Sequence, residues 1–132
     1  MATKENLMGM GMPHFLAGLL GRTPVLATAQ GTTMADARVA ANNEYDIIAA
    51  TGTGGIVLRS PASVDGYLLG DEIWFSNITG ASVALYIRNA AIYVNGVSVS
   101  GSLGLSVGVG QTCIAKPISA STWTVIGSVL SN

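Results

Sequence analysis

Only two charged residues, Arg88 and Lys116, occur in residues 73–132. A stretch of that length with so few charges cannot build a strongly solvated face, so its fold must present neutral surface to water or to a neighbour. Residues 1–72 hold the other four bases and all seven acids. Across the 132 residues, charged side chains make up 10%, where about 25% is ordinary. We expect much of this surface to be covered by copies of the same chain or by a partner. A formal net charge of −1 argues against a nucleic-acid binder, which needs a basic patch. The longest uncharged run, residues 89–115, alternates apolar residues with Ser, Gly and Asn and does not read as a membrane span. Lys4 and Glu5 are followed by Gly9, Gly11 and Pro13, with no apolar core of a secretory signal.

The length fits one domain, with a change of texture near its start. Pro13 suits the first turn of a helix, and Phe15, Leu16, Leu19 and Leu20 then share one helical face that Gly21 closes. About eight residues with Gly18 among them cannot hold a helix alone in water, so the segment must dock. It forms an arm over residues 1–22, and its groove is supplied either by its own domain or oligomer or by another partner. From residue 23 to 132 the pattern is β, with strands expected at 23–30, 45–50, 55–59, 72–77, 82–88, 91–94, 97–99, 111–115 and 122–126. Residues 33–42 fit either a helical turn or a strand. Turn signals separate the strands: Gly52-Thr53-Gly54-Gly55, Asp65-Gly66, Gly70-Asp71, Thr79-Gly80 and Asn95-Gly96. Val83, Leu85 and Ile87 alternate with Ala84, Tyr86 and Arg88, which puts one aliphatic face inward. Asn95-Gly96 between two apolar runs is a strong hairpin signal, because both turn positions need positive φ. Short strands punctuated in this way predict an all-β fold, an antiparallel sandwich or jelly-roll-like barrel carrying the N-terminal helical arm.

Motifs for chemistry are sparse. Residues 51–55 lack the Lys-Ser/Thr of a phosphate loop, and residues 101–110 lack its spacing and following helix; with Leu103, Leu105, Val107 and Val109 on one parity they read instead as a Gly-thinned strand or bulged edge. His14 is the only histidine, and apart from Glu5 upstream it has no Cys, Asp or Glu at ligand spacing. Cys113, alone in an apolar strand, reads as a small buried hydrophobe. Asp71 and Glu72 are adjacent, so on a strand they would face opposite ways; Asp71 after Gly70 fits a turn residue that binds backbone N–H groups. Asn77-Ile78-Thr79 matches a glycosylation acceptor by composition only. Gly104-Leu105-Ser106-Val107-Gly108 spells a nucleophile elbow, but no helix pattern, acid or histidine follows it. The expectation is a protein without enzymatic activity, metal or cofactor.

One ordered set of features has a counterpart among known proteins. Gly70-Asp71-Glu72-Ile73-Trp74-Phe75-Ser76-Asn77-Ile78-Thr79-Gly80 leads into an alternating strand and Val94-Asn95-Gly96. A Gly/Ser/Val stretch to Gly110 and a closing Trp123-Thr124-Val125-Ile126 follow. This order resembles the capsid decoration (cement) and head-fibre proteins of tailed bacteriophages, and Met10-Gly11-Met12-Pro13 with Phe15-Leu16 looks like their N-terminal arm. The resemblance covers the last 60 or so residues best, and 23–69 loosely. It implies a homotrimeric β-domain on the virion surface, assembled in the host cytoplasm and bound to the major capsid protein, with no enzymatic role. On that reading Met12, Phe15, Leu16, Leu19 and Leu20 are candidates for capsid docking, and Asp71, Trp74, Asn95, Gly96 and Trp123 for core and turn positions. The alternative is a tail-fibre or tailspike module that binds a host receptor or glycan through Trp74, Tyr86, Tyr93 and Trp123. At strand spacing those aromatics fit the core better. A hydrolase on a jelly-roll scaffold is the third class, and it lacks a proton-transfer pair.

Overall fold

Short runs of aliphatic, β-branched and aromatic residues between turn signals build twelve short strands in the computed structural model, which describes residues 23–127 and the backbone of 129–131. The arm, including Met12, His14, Phe15, Leu16, Leu19 and Leu20, lies outside the described residues. In chain order the strands are β1 (Pro24–Ala29), β2 (Arg38–Val39), β3 (Asp46–Gly52), β4 (Gly54–Arg59), β5 (Ile73–Asn77) and β6 (Val83–Arg88). They continue as β7 (Ala91–Val94), β8 (Val97–Ser100), β9 (Leu105–Val107), β10 (Thr112–Ser119), β11 (Thr122–Gly127) and β12 (Val129–Ser131). The undecided stretch at 33–42 resolves into a turn at 34–36 followed by the two-residue β2. No helix occurs among the described residues.

The strands form two mixed sheets, ordered β1-β3-β5-β10-β11-β7-β8 and β12-β9-β6-β4-β2. This corrects the antiparallel expectation, and neither sheet closes into a barrel. Five of the ten strand pairings are parallel: β1–β3, β3–β5, β2–β4, β4–β6 and β7–β11. Parallel neighbours need a crossover of a dozen or more residues. For the first four of these pairs the crossover contains a strand of the opposite sheet, while β7 reaches β11 through β8, β9 and β10. Residues 30–45, containing β2, join β1 to β3; residues 53–72, containing β4, join β3 to β5. The first six strands thus wind back and forth between the sheets. β9 and β10 then extend the stack by antiparallel pairing, β10 beside β5 and β9 beside β6. Turn residues mark where the chain changes direction and leave open which strand it then joins, so the parallel winding was invisible to the turn pattern.

The inward faces of the two sheets share one core. Ala27, Ile47, Ile73, Phe75, Cys113, Ala115, Trp123 and Val125 come from the seven-stranded sheet, and Ile56, Leu58, Leu85, Ile87, Leu105 and Val107 from the other. Val83, Leu85 and Ile87 all point inward. β4 is buried on both sides, as a parallel strand tends to be: Met34 and Ala37 cover Val57 and Tyr86 from outside. The corner from β3 to β4 turns on Thr53 between two glycines, Gly52 at φ 83° and Gly54 at φ 117°. A Cβ on Gly52 would strike the Ala29 carbonyl, and one on Gly54 the Gly31 carbonyl, both in the preceding turn of the winding. Asn95 (φ 49°) and Gly96 (φ 92°) form the tight turn between β7 and β8, with Val94 opposite Val97.

Asn77 is the polar peg of this core. Its side chain is fully buried, and its amide nitrogen donates to the carbonyls of Ala81 and Val107, each at 2.8 Å. Its side-chain oxygen accepts from the Thr79 N–H (2.9 Å) and hydroxyl (2.7 Å). The end of β5 is thereby tied to β9 in the opposite sheet. A side chain so enclosed and engaged does not serve as a glycan acceptor. Replacing Asn77 with Ala should cost about 2–4 kcal/mol, because it strands buried donors and acceptors. Asn77→Asp should cost at least as much, since a carboxylate cannot donate to the two carbonyls. Urea unfolding of both variants checks this, and parent-like midpoints would refute it.

Candidate interaction surfaces

Strand alternation that fills the core also decides what faces out. Along the outer side of the seven-stranded sheet, Pro24, Asp46, Trp74, Ile114 and Ile126 stand in one row across β1, β3, β5, β10 and β11. Leu26 and Ile48 lie beside it in the next row, continued by Ser76 and Thr112. Leu26 is 71% exposed, Ile126 62% and Trp74 40%. Tyr93, also exposed, extends the patch on β7. The band carries Asp46 at one end, with Glu72 and Lys116 alongside. Hydroxyl pairs at Thr28–Thr51 and Ser76–Thr112, each 2.9 Å apart, tie neighbouring strands on this face.

This placement moves Trp74 from the expected core to the surface. Residues 73, 75 and 77 point inward, so the alternation puts 74 outside; its indole N–H donates to Glu72 Oε1 at 3.2 Å. Trp123 belongs to the core, fully buried, with its ring edge-on to Tyr67 at 6.0 Å. Its indole N–H has no acceptor among the described residues. Tyr86 is buried under the 31–37 segment, so Trp74 and Tyr93 are the two of the four candidate aromatics that face out.

A second surface lies at one end of the fold, on residues 60–72. This long connection is pinned at many points. Ser63 N–H bonds Ser60 O, Gly66 N–H bonds Ser63 O, and Tyr67 N–H bonds Arg59 O. Ala62 N–H reaches Ala120 O in the β10–β11 turn. Asp71, buried, accepts from the Leu68 N–H (2.8 Å) and the Tyr45 hydroxyl (3.2 Å), and the Tyr67 hydroxyl donates to Glu44 O (2.7 Å). Asp71 therefore acts as the turn-holding carboxylate. Against that rigid frame Val64, Leu68 and Leu69 are exposed, as is Ile118 at the end of β10. The sequence reading missed these four. The available signal was Leu68-Leu69 directly before a Gly-Asp turn, where aliphatic side chains have no strand face to enter.

A third feature is an open trough of about 330 Å³ on the outer side of the five-stranded sheet. Its lining includes Thr32, Ser82, Ser106, Ala84, Tyr86 and the backbone of Gly31 and Gly54, with no carboxylate, base or thiol. Ser106 of the Gly-x-Ser-x-Gly match sits here on β9, in a strand paired on both sides and not at a strand-to-helix elbow. Among the described residues no three His, Cys, Asp or Glu side chains gather in a metal-binding group.

Cys113 and Tyr67 give the core a pH signature. Burial pushes the Cys113 thiol from an ordinary value of 9.0 up to about 12. Burial, and then the nearby Glu44, push the Tyr67 phenol well above its usual range. Both groups keep their protons in the folded state and lose them more easily when unfolded. The Cys113 contribution is complete well below pH 9.0 and is lost as pH rises toward about 12, and that of Tyr67 declines in the same direction from its own ordinary value of 10.0 upward. Urea midpoints should hold steady from pH 7 to about 8.5 and fall at higher pH. Cys113→Ala should flatten the first part of that fall, and an unchanged profile would contradict the assignment. Native Cys113 should also resist thiol reagents at pH 8 until the protein unfolds.

Compared with models of known families, with curated proteins and with solved structures, the chain matches none.

Proposed function

We propose that this chain is a non-enzymatic structural protein of a bacteriophage virion, a decoration or cement subunit that acts as a homotrimer bound to the major capsid protein. The observation that carries the reading is the apolar band of Leu26, Trp74, Ile114 and Ile126, left open on a sheet with few charges. A patch of this kind is unsuited to a free monomer and suited to permanent contacts in an assembly. The order of motifs from Gly70 to Ile126 supports the same class. The pinned 60–72 connection suits the capsid contact, because its backbone is fixed before binding while Val64, Leu68 and Leu69 face outward. Pre-ordering of this kind lowers the entropy lost on docking. No cofactor, nucleic acid or membrane enters this reading.

One observation favours the second reading, a receptor- or glycan-binding fibre module. Trp74 and Tyr93 both face out from the same sheet, and the Trp74 indole is held by Glu72. Sugar rings stack on such surfaces.

Light scattering should give a trimer whose mass does not change on dilution, and the protein should sediment with empty capsids. A concentration-independent mass of 13.4 kDa would refute the trimer. Leu68→Asp with Leu69→Asp should leave the circular dichroism and the trimer intact while weakening capsid sedimentation at least tenfold. Undiminished sedimentation would move the contact elsewhere. A Trp74→Ala variant that keeps capsid binding but loses a glycan would favour the fibre reading.

A further inference from the structure

A three-fold assembly makes a specific demand on the apolar band. Around a three-fold axis every contact is heterologous, joining two different patches, one from each neighbour. The band on the seven-stranded sheet can therefore be only one half of such a contact. Its mate must be a second apolar element of the same chain. Resting on the trimer reading above, we propose that the mate is the segment 13–20 of the adjacent copy. Phe15, Leu16, Leu19 and Leu20 would lie across Trp74, Ile114 and Ile126.

Length and chain path support this occupant. The apolar part of the row, Trp74, Ile114 and Ile126 on β5, β10 and β11, crosses two inter-strand steps, about 10 Å at about 4.8 Å each. The eight positions 13–20, wound as a helix, would be about 12 Å long and so cover it, and residues 21–23 add a reach of about 10 Å between copies. The described chain starts at β1, the outermost strand of this sheet. Residues before it can pass directly to a neighbour without crossing their own sheet. The pairing also uses residues that otherwise have no reason to be apolar: Leu26, Ile114 and Ile126 share their strand face with Thr28, Thr112 and Thr124, which water tolerates well. Repeated three times, the same contact closes the ring, and a sheet that would otherwise invite open-ended association becomes internal.

Two tryptophans make the contact readable, because Trp123 is enclosed in the core while Trp74 lies in the band. In the parent chain, acrylamide should quench Trp74 weakly. Leu16→Asp with Leu19→Asp should raise quenching several-fold and reduce the mass to a monomer, with β-type circular dichroism unchanged. Trp74 that is freely quenched in the parent trimer would overturn the proposal. So would a variant that remains trimeric with Trp74 shielded, which would mean that another surface covers the band. As an independent check that does not depend on an apolar-to-acidic change, Leu19→Cys chains can be mixed with Ile126→Cys chains and oxidised. Covalent dimers linked between the two kinds of chain support the seat; their absence from a trimeric mixture refutes it and leaves the trimer reading standing. A monomer with Trp74 shielded, and a Leu19→Cys/Ile126→Cys chain cross-linked only to itself, would place the segment on its own sheet and overturn both.

Discussion

Parallel strands in two facing sheets can stack only if the chain turns between the sheets with nothing protruding at the corner. The turn Gly52-Thr53-Gly54 meets that condition. Each glycine has a positive φ, and each lies so close to the carbonyls of Ala29 or Gly31 that a Cβ would collide with backbone. The bridge between Gln30 and Gly55 then locks that corner to the turn before it, with both backbone bonds formed. β1 can align on β3 and β2 on β4 because this contact sets the vertical spacing. Everything that follows inherits that register, up to the point where Asn77 fastens β5 to β9 and antiparallel strands take over.

Strand positions were largely legible in the sequence, and their partners were not. Alternation at Val83, Leu85 and Ile87 located β6 and its inner face, and Asn95-Gly96 located the β7–β8 hairpin with its φ > 0 turn. Those signals act within one strand or between chain neighbours. Pairing β1 with β3 is a choice among distant strands. It depends on whether a corner is tight enough for stacking, which follows from backbone approach and leaves only a glycine as its trace. The run 101–110 shows a related limit. Leu103, Leu105, Val107 and Val109 share one parity, yet only Leu105 and Val107 lie in β9 and are buried; Leu103 and Val109 fall in turns and stay exposed.

The interaction surfaces were only partly legible for the same reason. Trp74 looked like core because aromatic residues in strands usually are. Its neighbours Ile73 and Phe75 already fill the inner face, so the alternation rule itself sends Trp74 out. Ile114 and Ile126 become meaningful once β5, β10 and β11 lie side by side and align them with Trp74. Val64, Leu68 and Leu69 depend on tertiary hydrogen bonds: without Asp71 and Tyr67 holding residues 60–72, those side chains would be free to collapse inward.

Rigidity of the frame and apolarity of the surface have one origin. With 10% charged residues, the chain cannot keep a flexible apolar surface dispersed, because a mobile Leu-rich loop finds its own kind and aggregates. A pinned loop restricts the geometries in which such contacts can form. One edge of each sheet follows the same logic. β2 is only two residues long, and β1 opens on Pro24, which has no backbone N–H to offer a ladder. The low charge that limits solubility, and the weak strand addition at these two edges, thus favour side-chain packing as the route of association there. Selective assembly needs that restriction, because packing of shaped side chains discriminates between partners far more sharply than an open edge of backbone hydrogen bonds.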